Sequence, residues 1–443
     1  MNPEKTVADQ LNSKEKFLSD FRHFETAHSN GMNDLRTNAI QHFSKLGFPT
    51  LKHEEWKYTD ISPILKSSFS LPAAGSFEMK REEIMQRLQL KENVCLVVLE
   101  NGKLNAAASD VQHLPEGLQI KYIGEEKNSP AVQKHFSKYA DIDTDAFAAL
   151  NTAFLSDGIV IRIQAGHVLD KPLMIVNVSS HKEEAVISHN RLLVVAEKSS
   201  SAKIGWITVS KNETANTFVN AVNEIVVEEN ATLEFDICQN ENARAYQVCN
   251  TYAYQLKDSK FTINTATLGG SIVRNKLHIK LDAENCETHL YGLYIADEKQ
   301  LIDNHTAVFH ARPHSNSNQL YKGIIGGKAH GVFNGKIFVE KDAQKTNAYQ
   351  SNKNILLSNE AVINAKPQLE IFADDVKCTH GATTGQMDEE SLFYLRSRGI
   401  NEVNAKALLN KAFASDILNN ITIESLREML AQETEKKLIK ANA

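Results

Sequence analysis

The sequence predicts a mainly β chain whose centre coils into a β-helix, or β-solenoid, between helical ends, and three observations predict it. From Ile159 to about Gly385, β-branched and aromatic residues dominate, only Pro172, Pro313 and Pro367 occur, and no long 3.6-residue period is present. Within that stretch a pattern of polar or small, small, polar, then apolar or β-branched residue recurs. It stands at Ser201-Ala202-Lys203-Ile204, Asn230-Ala231-Thr232-Leu233, Asp258-Ser259-Lys260-Phe261 and Asn285-Cys286-Glu287-Thr288, at offsets of 29, 28 and 27 residues. Self-similarity at such a period marks stacked repeats, the small residue suiting a tight corner between sheets. The next comparable site, Lys328-Ala329-His330-Gly331, lies 43 residues beyond Asn285. On both sides of the stretch the spacing of apolar residues returns to that of helices.

Taken in order, Asn2 to about Leu46 reads as helical, with Phe17, Phe21, Phe24, Leu35, Ile40, Phe43 and Leu46 at helical spacing until Gly47. The segment GFPTLKHEEWKYTDISPI carries Pro49 and Pro63 as breakers and reads as a short cap. VCLVVLENGKLN reads as a hairpin turning at Asn101-Gly102, and Ala146 to Gly158 as a last helix before the strands. After Gly385, Ser391 to Leu395 form a helix stopped by Gly399, Asn401 caps a second through Phe413, and Thr422 caps a third. The expected domains are therefore 1–150, mostly helical with a small hairpin; 151–385, the β core; and 386–443, helical.

With 443 residues, the chain has room for two to four units of about 100 to 200 residues. Hydrophobic residues at 42% and charged residues at 23% are ordinary globular usage. Lys plus Arg number 49 against 55 Asp plus Glu, so no basic excess marks a nucleic-acid partner. The longest apolar run, Val94 to Leu99, has six residues, far below the roughly 20 that cross a bilayer, so no membrane partner is expected. The start MNPEKTVADQ lacks the features of a secretory signal, and a cytoplasmic protein is expected. Five scattered cysteines, Cys95, Cys238, Cys249, Cys286 and Cys378, form no paired framework.

The sharpest chemical constellation is KCTHGATTG, Lys377 to Gly385. On a strand, Cys378 and His380 share a face about 6.6 Å apart and Thr379 points the other way. A thiolate beside an imidazole suits iron, zinc or an iron-sulfur cluster, and Lys377 would lower the thiol pKa. Two ligands leave a site incomplete, so further donors must come from elsewhere; the alternative is a buried cysteine with a hydrogen-bonded histidine. Asp374-Asp375 point to opposite faces of a strand and suit a solvated or turn role better than acid-base work. His305, His310 and His314, at offsets of five and four, fit no common face. KGIIGGKAHG, Lys322 to Gly331, fails the phosphate-loop pattern at Lys322 and Ala329, so its glycines suit turns. In SLFYLRSRGI, aromatics beside Arg396 and Arg398 suit either packing on the β domain or a docking surface.

Several segments together resemble the SufB–SufD protein family of the SUF iron-sulfur cluster assembly machinery, on its SufD side. They are EEWKYTDI (Glu54 to Ile61), AFAALNTAFLSDG, SNQLYKGIIGGKAHGVFNGKIFV (Ser317 to Val339), QSNKNILLS (Gln350 to Ser358), AKPQLEIFADDVKCTHGATTGQMD (Ala365 to Asp388) and FYLRSRGI. The resemblance implies a right-handed parallel β-helix flanked by N-terminal and C-terminal helical domains. It also implies a non-catalytic scaffold that works with a SufB-like paralogue and a SufC-like ATPase, no permanently bound cofactor, and a transient iron-sulfur cluster shared with the partner. By that resemblance, His380 and, after it, Cys378 serve as metal ligands, and Phe393, Tyr394, Arg396 and Arg398 lie where SufC docks. Gly381 after His380, where SufB has Glu, favours the SufD side. A SufB-like scaffold, a β-helical carbohydrate-active enzyme using Asp374 or Asp375, and a β-helical interaction protein remain as alternatives. Exposed strand edges would also allow a homodimer in isolation.

Overall fold

The computed structural model describes residues 3–28, 31–72, 79–91, 93–180, 185–214 and 216–441, with backbone alone over 3–10. The chain turns the same corner again and again. Ser199, Asn230, Asp258, Asn285, His314 and Lys345 all have φ between 56° and 62°, a region that Asn and Asp enter more readily than most residues. Each amide at this corner bonds the next turn: Asn230 N–H to Lys257 O at 2.9 Å, Asp258 to Glu284 at 3.2 Å, Asn285 to Pro313 at 3.3 Å and Lys345 to Asp375 at 2.7 Å. The residue after each, Ser200, Ala231, Ser259, Cys286, Ser315 or Thr346, is buried, because only a small side chain fits inside the corner.

This structure corrects the repeat. Its first copy belongs two residues earlier, at Ser199, and it continues at His314 and Lys345. Lys328 instead follows Gly327 (φ 53°), which with Glu298 (φ 56°) forms a different corner.

Between corners, strands fall alternately into a ten-stranded and a nine-stranded sheet among the described residues. Strands pair with those two ahead, in parallel and without slippage: Ser201 opposite Thr232, Thr232 opposite Lys260, and so on to Asn347 opposite Lys377. The result is a parallel β-solenoid of about seven turns. Ile204, Phe235, Ile263 and Leu290 project inward in one column and meet Leu192, Ile225 and Ile279 of the other sheet. Burial of such side chains, at about 25 cal/mol per Å² of apolar surface, stabilises the stack.

The hairpin lies where expected, with Glu100 opposite Lys103 and positive φ at Asn101 and Gly102. It is not an isolated feature, however. Cys95–Glu100 also pairs in parallel with Leu173–Ser179, and Leu118–Tyr122 runs antiparallel to Ile159–Ile163. These strands close both sheets at the N-terminal end of the solenoid. The expected 1–150 unit thus lends strands to the β core.

The helical stretch before Leu46 resolves into Pro3–Ala27 and Asn33–Leu46; its expected start, Asn2, lies outside the described residues. Phe17, Phe21, Phe43, Phe48 and Phe154 form an aromatic cluster over Phe218, Val248 and Ile272 on the nine-stranded sheet. At the other end, Glu402–Leu418 and Glu424–Ala441 cover the ten-stranded sheet, setting Ile417, Leu426 and Leu430 on Ile207, Cys238 and Ile295. Asn401 caps the first of these helices as expected, accepting from Asn404 N–H at 2.9 Å. Thr422 does not cap the second; its amide and hydroxyl both donate to Glu234 of the sheet, clamping the helix to the core. Among the described residues no helix is long and apolar enough to cross a membrane.

Two histidines are buried as neutral rings. His189 stacks on Phe154 at 5.3 Å, and His310 Nε2 lies 2.9 Å from Ser317 Oγ. Burial pushes both down from 6.5 to about 3. Below pH 6.5 the unfolded chain binds two protons that the folded chain refuses until about pH 3. Stability is therefore expected to fall across that window on acidification, by about 1.4 kcal/mol per pH unit for each ring. Urea midpoints at pH 7 and pH 5 check this: His310→Gln should shallow the slope by one proton's share, and an unaltered slope would count against a buried neutral ring.

Candidate functional site

The N-terminal end of the solenoid is closed by strands and both outer faces carry helices, but its C-terminal end is open. Val362–Ile371 and Lys377–Gly385 are the last strands of the two sheets, and among the described residues neither has a partner on its outer side. An open parallel edge presents unpaired backbone donors and acceptors to another chain. The apolar residues around it are exposed to match: Tyr349, Val362 at 48%, Ile371, and Phe372 at 60%, the last packed along Phe338 at 5.3 Å between centroids.

Cys378 and His380 lie on this terminal strand, in register with Ala348 and Gln350. Ala348 and Gln350 are buried, so both belong to inward-facing columns, while Thr379 continues the outward column of Tyr349. The thiol and the imidazole thus share a face of the uncovered last turn. Cys378 is half-buried against Val376, Leu369 and Ala348. Burial raises its thiol pKa, opposed by a hydrogen bond from the Ala348 backbone. Lys377 points to the other face and does not activate the thiol, contrary to expectation. His380 is exposed and makes no hydrogen bond among the described residues. The other four cysteines are buried, with burial pushing Cys249 up to about 11 and Cys238 to about 12.

No group of three His, Cys, Asp or Glu side chains converges anywhere among the described residues. His310 lies inside the core, His314 at an exposed corner, and His305 bonds Asp303 at 3.0 Å. Asp375 serves the corner, its carboxylate paired with Lys345 and its amide donating to Gln344 at 2.9 Å. The glycine-rich segment holds no phosphate loop. Its Lys322 is buried and donates to Phe413 O at 3.0 Å and to Asp416, fastening the helix Glu402–Leu418 to the sheet.

The helix Glu389–Ser397 buries none of its residues. Phe393 is 73% and Tyr394 57% exposed; Arg398 lies over the Tyr394 ring at 5.3 Å, and Arg396 pairs with Glu402 at 3.5 Å. Packing on the chain's own β domain, one of the two expectations for this segment, is not what the structure has.

Sequence reading missed Tyr349, Ile371 and Phe372, because nothing in an apolar strand residue tells that its turn is the last. It also missed the role of EEWKYTDI. Trp56 covers the Arg274 guanidinium at 3.9 Å, Thr59 donates to Asp303 at 2.5 Å, and Glu54 pairs with Lys366 at 2.6 Å, strapping this segment across the nine-stranded sheet. Three residue types in eight positions find partners on three different turns, which no local pattern reveals.

The sequence model described as "SUF system FeS cluster assembly, SufBD core domain" matches residues 177–413, and that described as "SufBD protein N-terminal region" matches residues 11–175. Among individual proteins, an iron-sulfur cluster assembly SufBD family protein of Synechocystis is 32% identical over 90% of this chain and 89% of its own length. The iron-sulfur cluster assembly protein SufD of Escherichia coli is 29% identical over 95% of this chain and 96% of its own length.

Proposed function

Because the chain belongs to the SufBD family of iron-sulfur cluster assembly proteins, we propose that it is a SufD-type, non-catalytic scaffold. Its open solenoid end meets a SufB-like paralogue, and its exposed helix Glu389–Ser397 receives a SufC-like ATPase. The observation that carries this reading is the uncovered last turn, where Cys378 and His380 share a face with no third ligand near them among the described residues. A nascent iron-sulfur cluster is the cargo of that interface, with His380 a ligand from this chain, Cys378 a second, and the remaining donors supplied by the paralogue. Edge-to-edge addition extends both sheets and brings the two terminal turns face to face. In the absence of the paralogue, the same surface allows an isologous homodimer. Cytoplasmic work suits five cysteines with no disulfide among them.

Replacing His380 by Ala tests the reading. The side chain is exposed, so stability should change by less than about 0.5 kcal/mol. Cluster formation by the reconstituted three-protein complex should fall by about tenfold or more, since even a residue that only supports a ligand is worth that much. Undiminished cluster formation would remove His380 from the site.

A further inference from the structure

We infer that Gln350 is the positioning residue for His380, accepting one imidazole N–H so that the other ring nitrogen faces the partner. The inference rests on the proposed ligand role of His380 and assigns the orientation of that ligand. Gln350 is 3% exposed and lies directly beside His380 in the ladder. Its amide is held by the preceding turn of its sheet. Gln350 Nε2 donates to Gln319 Oε1 at 3.0 Å, and Gln319 Nε2 donates in turn to Thr306 Oγ1 at 2.5 Å. Across the interior, a Cβ on Gly335 would lie 2.5 Å from Gln350 Nε2, so the absence of a side chain there makes room for the amide.

Gln350 thus donates toward the preceding turn of its own sheet, and Gln319 across the interior to the other sheet. Gln350 Oε1 is left as a buried acceptor with no partner among the described residues, and an unsatisfied buried acceptor is destabilising. The next residue in the column is His380, which makes no hydrogen bond among the described residues; a turn of its ring would bring an N–H to this acceptor. A ligating histidine ordinarily gives its second nitrogen to such an acceptor, which fixes both tautomer and ring plane.

The test is nitrogen NMR of the full chain with labelled histidine, at a pH where the ring is neutral, the His380 signals being identified by their loss in His380→Ala. A single predominant tautomer is expected in the natural protein and in Gln350→Glu, which keeps an acceptor, and a tautomer mixture in Gln350→Met. In the reconstituted complex, Gln350→Met should lower cluster formation by about ten- to a hundredfold, with Gln350→Glu retaining most of it. A tautomer mixture in the natural protein, or tautomer populations indifferent to Gln350→Met, overturns the inference. Failure of the underlying reading is separate, because it appears as full cluster formation by His380→Ala whatever the tautomer.

Discussion

Replacing Glu224 by Gln is expected to destabilise the chain by about 3–5 kcal/mol, which is among the largest costs a single substitution incurs. Glu224 and Arg191 are both fully buried and meet at 2.6 Å. The same carboxylate accepts the backbone N–H groups of Ser137 at 2.8 Å, Tyr139 at 2.9 Å and Ala140 at 3.2 Å. It therefore holds the N-terminal region onto the second turn of the nine-stranded sheet. Gln leaves the guanidinium without a counter-charge in a site that water does not reach, and puts an amide donor where only acceptors fit. The exposed pair Glu54–Lys366, at a similar 2.6 Å, offers the contrast: Glu54→Gln should cost less than about 1 kcal/mol because solvent screens it. Urea unfolding of both variants decides the matter, and a Glu224→Gln cost near that of Glu54→Gln would show that the buried pair is not holding the domains together.

Replacing Phe372 by Asp is expected to weaken association with the proposed SufB-like partner by about 30-fold or more, corresponding to roughly 2 kcal/mol for an aromatic anchor at an interface centre. The ring is 60% exposed beside the open edge. Within this chain its loss should cost less than about 1 kcal/mol, since Phe338 is its one ring neighbour among the described residues. Sedimentation or calorimetric titration with the partner reads the change directly. Unaltered affinity would place the interface away from the last turn.

Much of this architecture is legible in the residues, because the features that build it are local. Asn230, Asp258 and Asn285 tolerate the left-handed corner, and the small residue after each marks the repeat. Ser199, His314 and Lys345 occupy the same conformation without being residues that advertise it, so the repeat is lost where they stand. Asn401 can be read as a cap since its partner is three residues away. Thr422 cannot, because its true partner, Glu234, lies 188 positions back. The pairing of Cys378 with His380 follows from the two-residue period of a strand. That their turn is the open one depends on which strands find no neighbour, a property of the assembled sheets. For the same reason Lys377 looked like an activator of the thiol, whereas the alternation of the strand and the burial of Cys378 act against it.

On the proposed function, the terminal turn is a surface awaiting another chain. Amide hydrogen exchange with and without a SufB-like partner measures this most directly. Exchange is expected to slow by about tenfold or more in Val362–Ile371 and Lys377–Gly385, whose edges gain hydrogen bonds, while the inner turns stay as they were. Binding that leaves both strands exchanging at their original rates would contradict it.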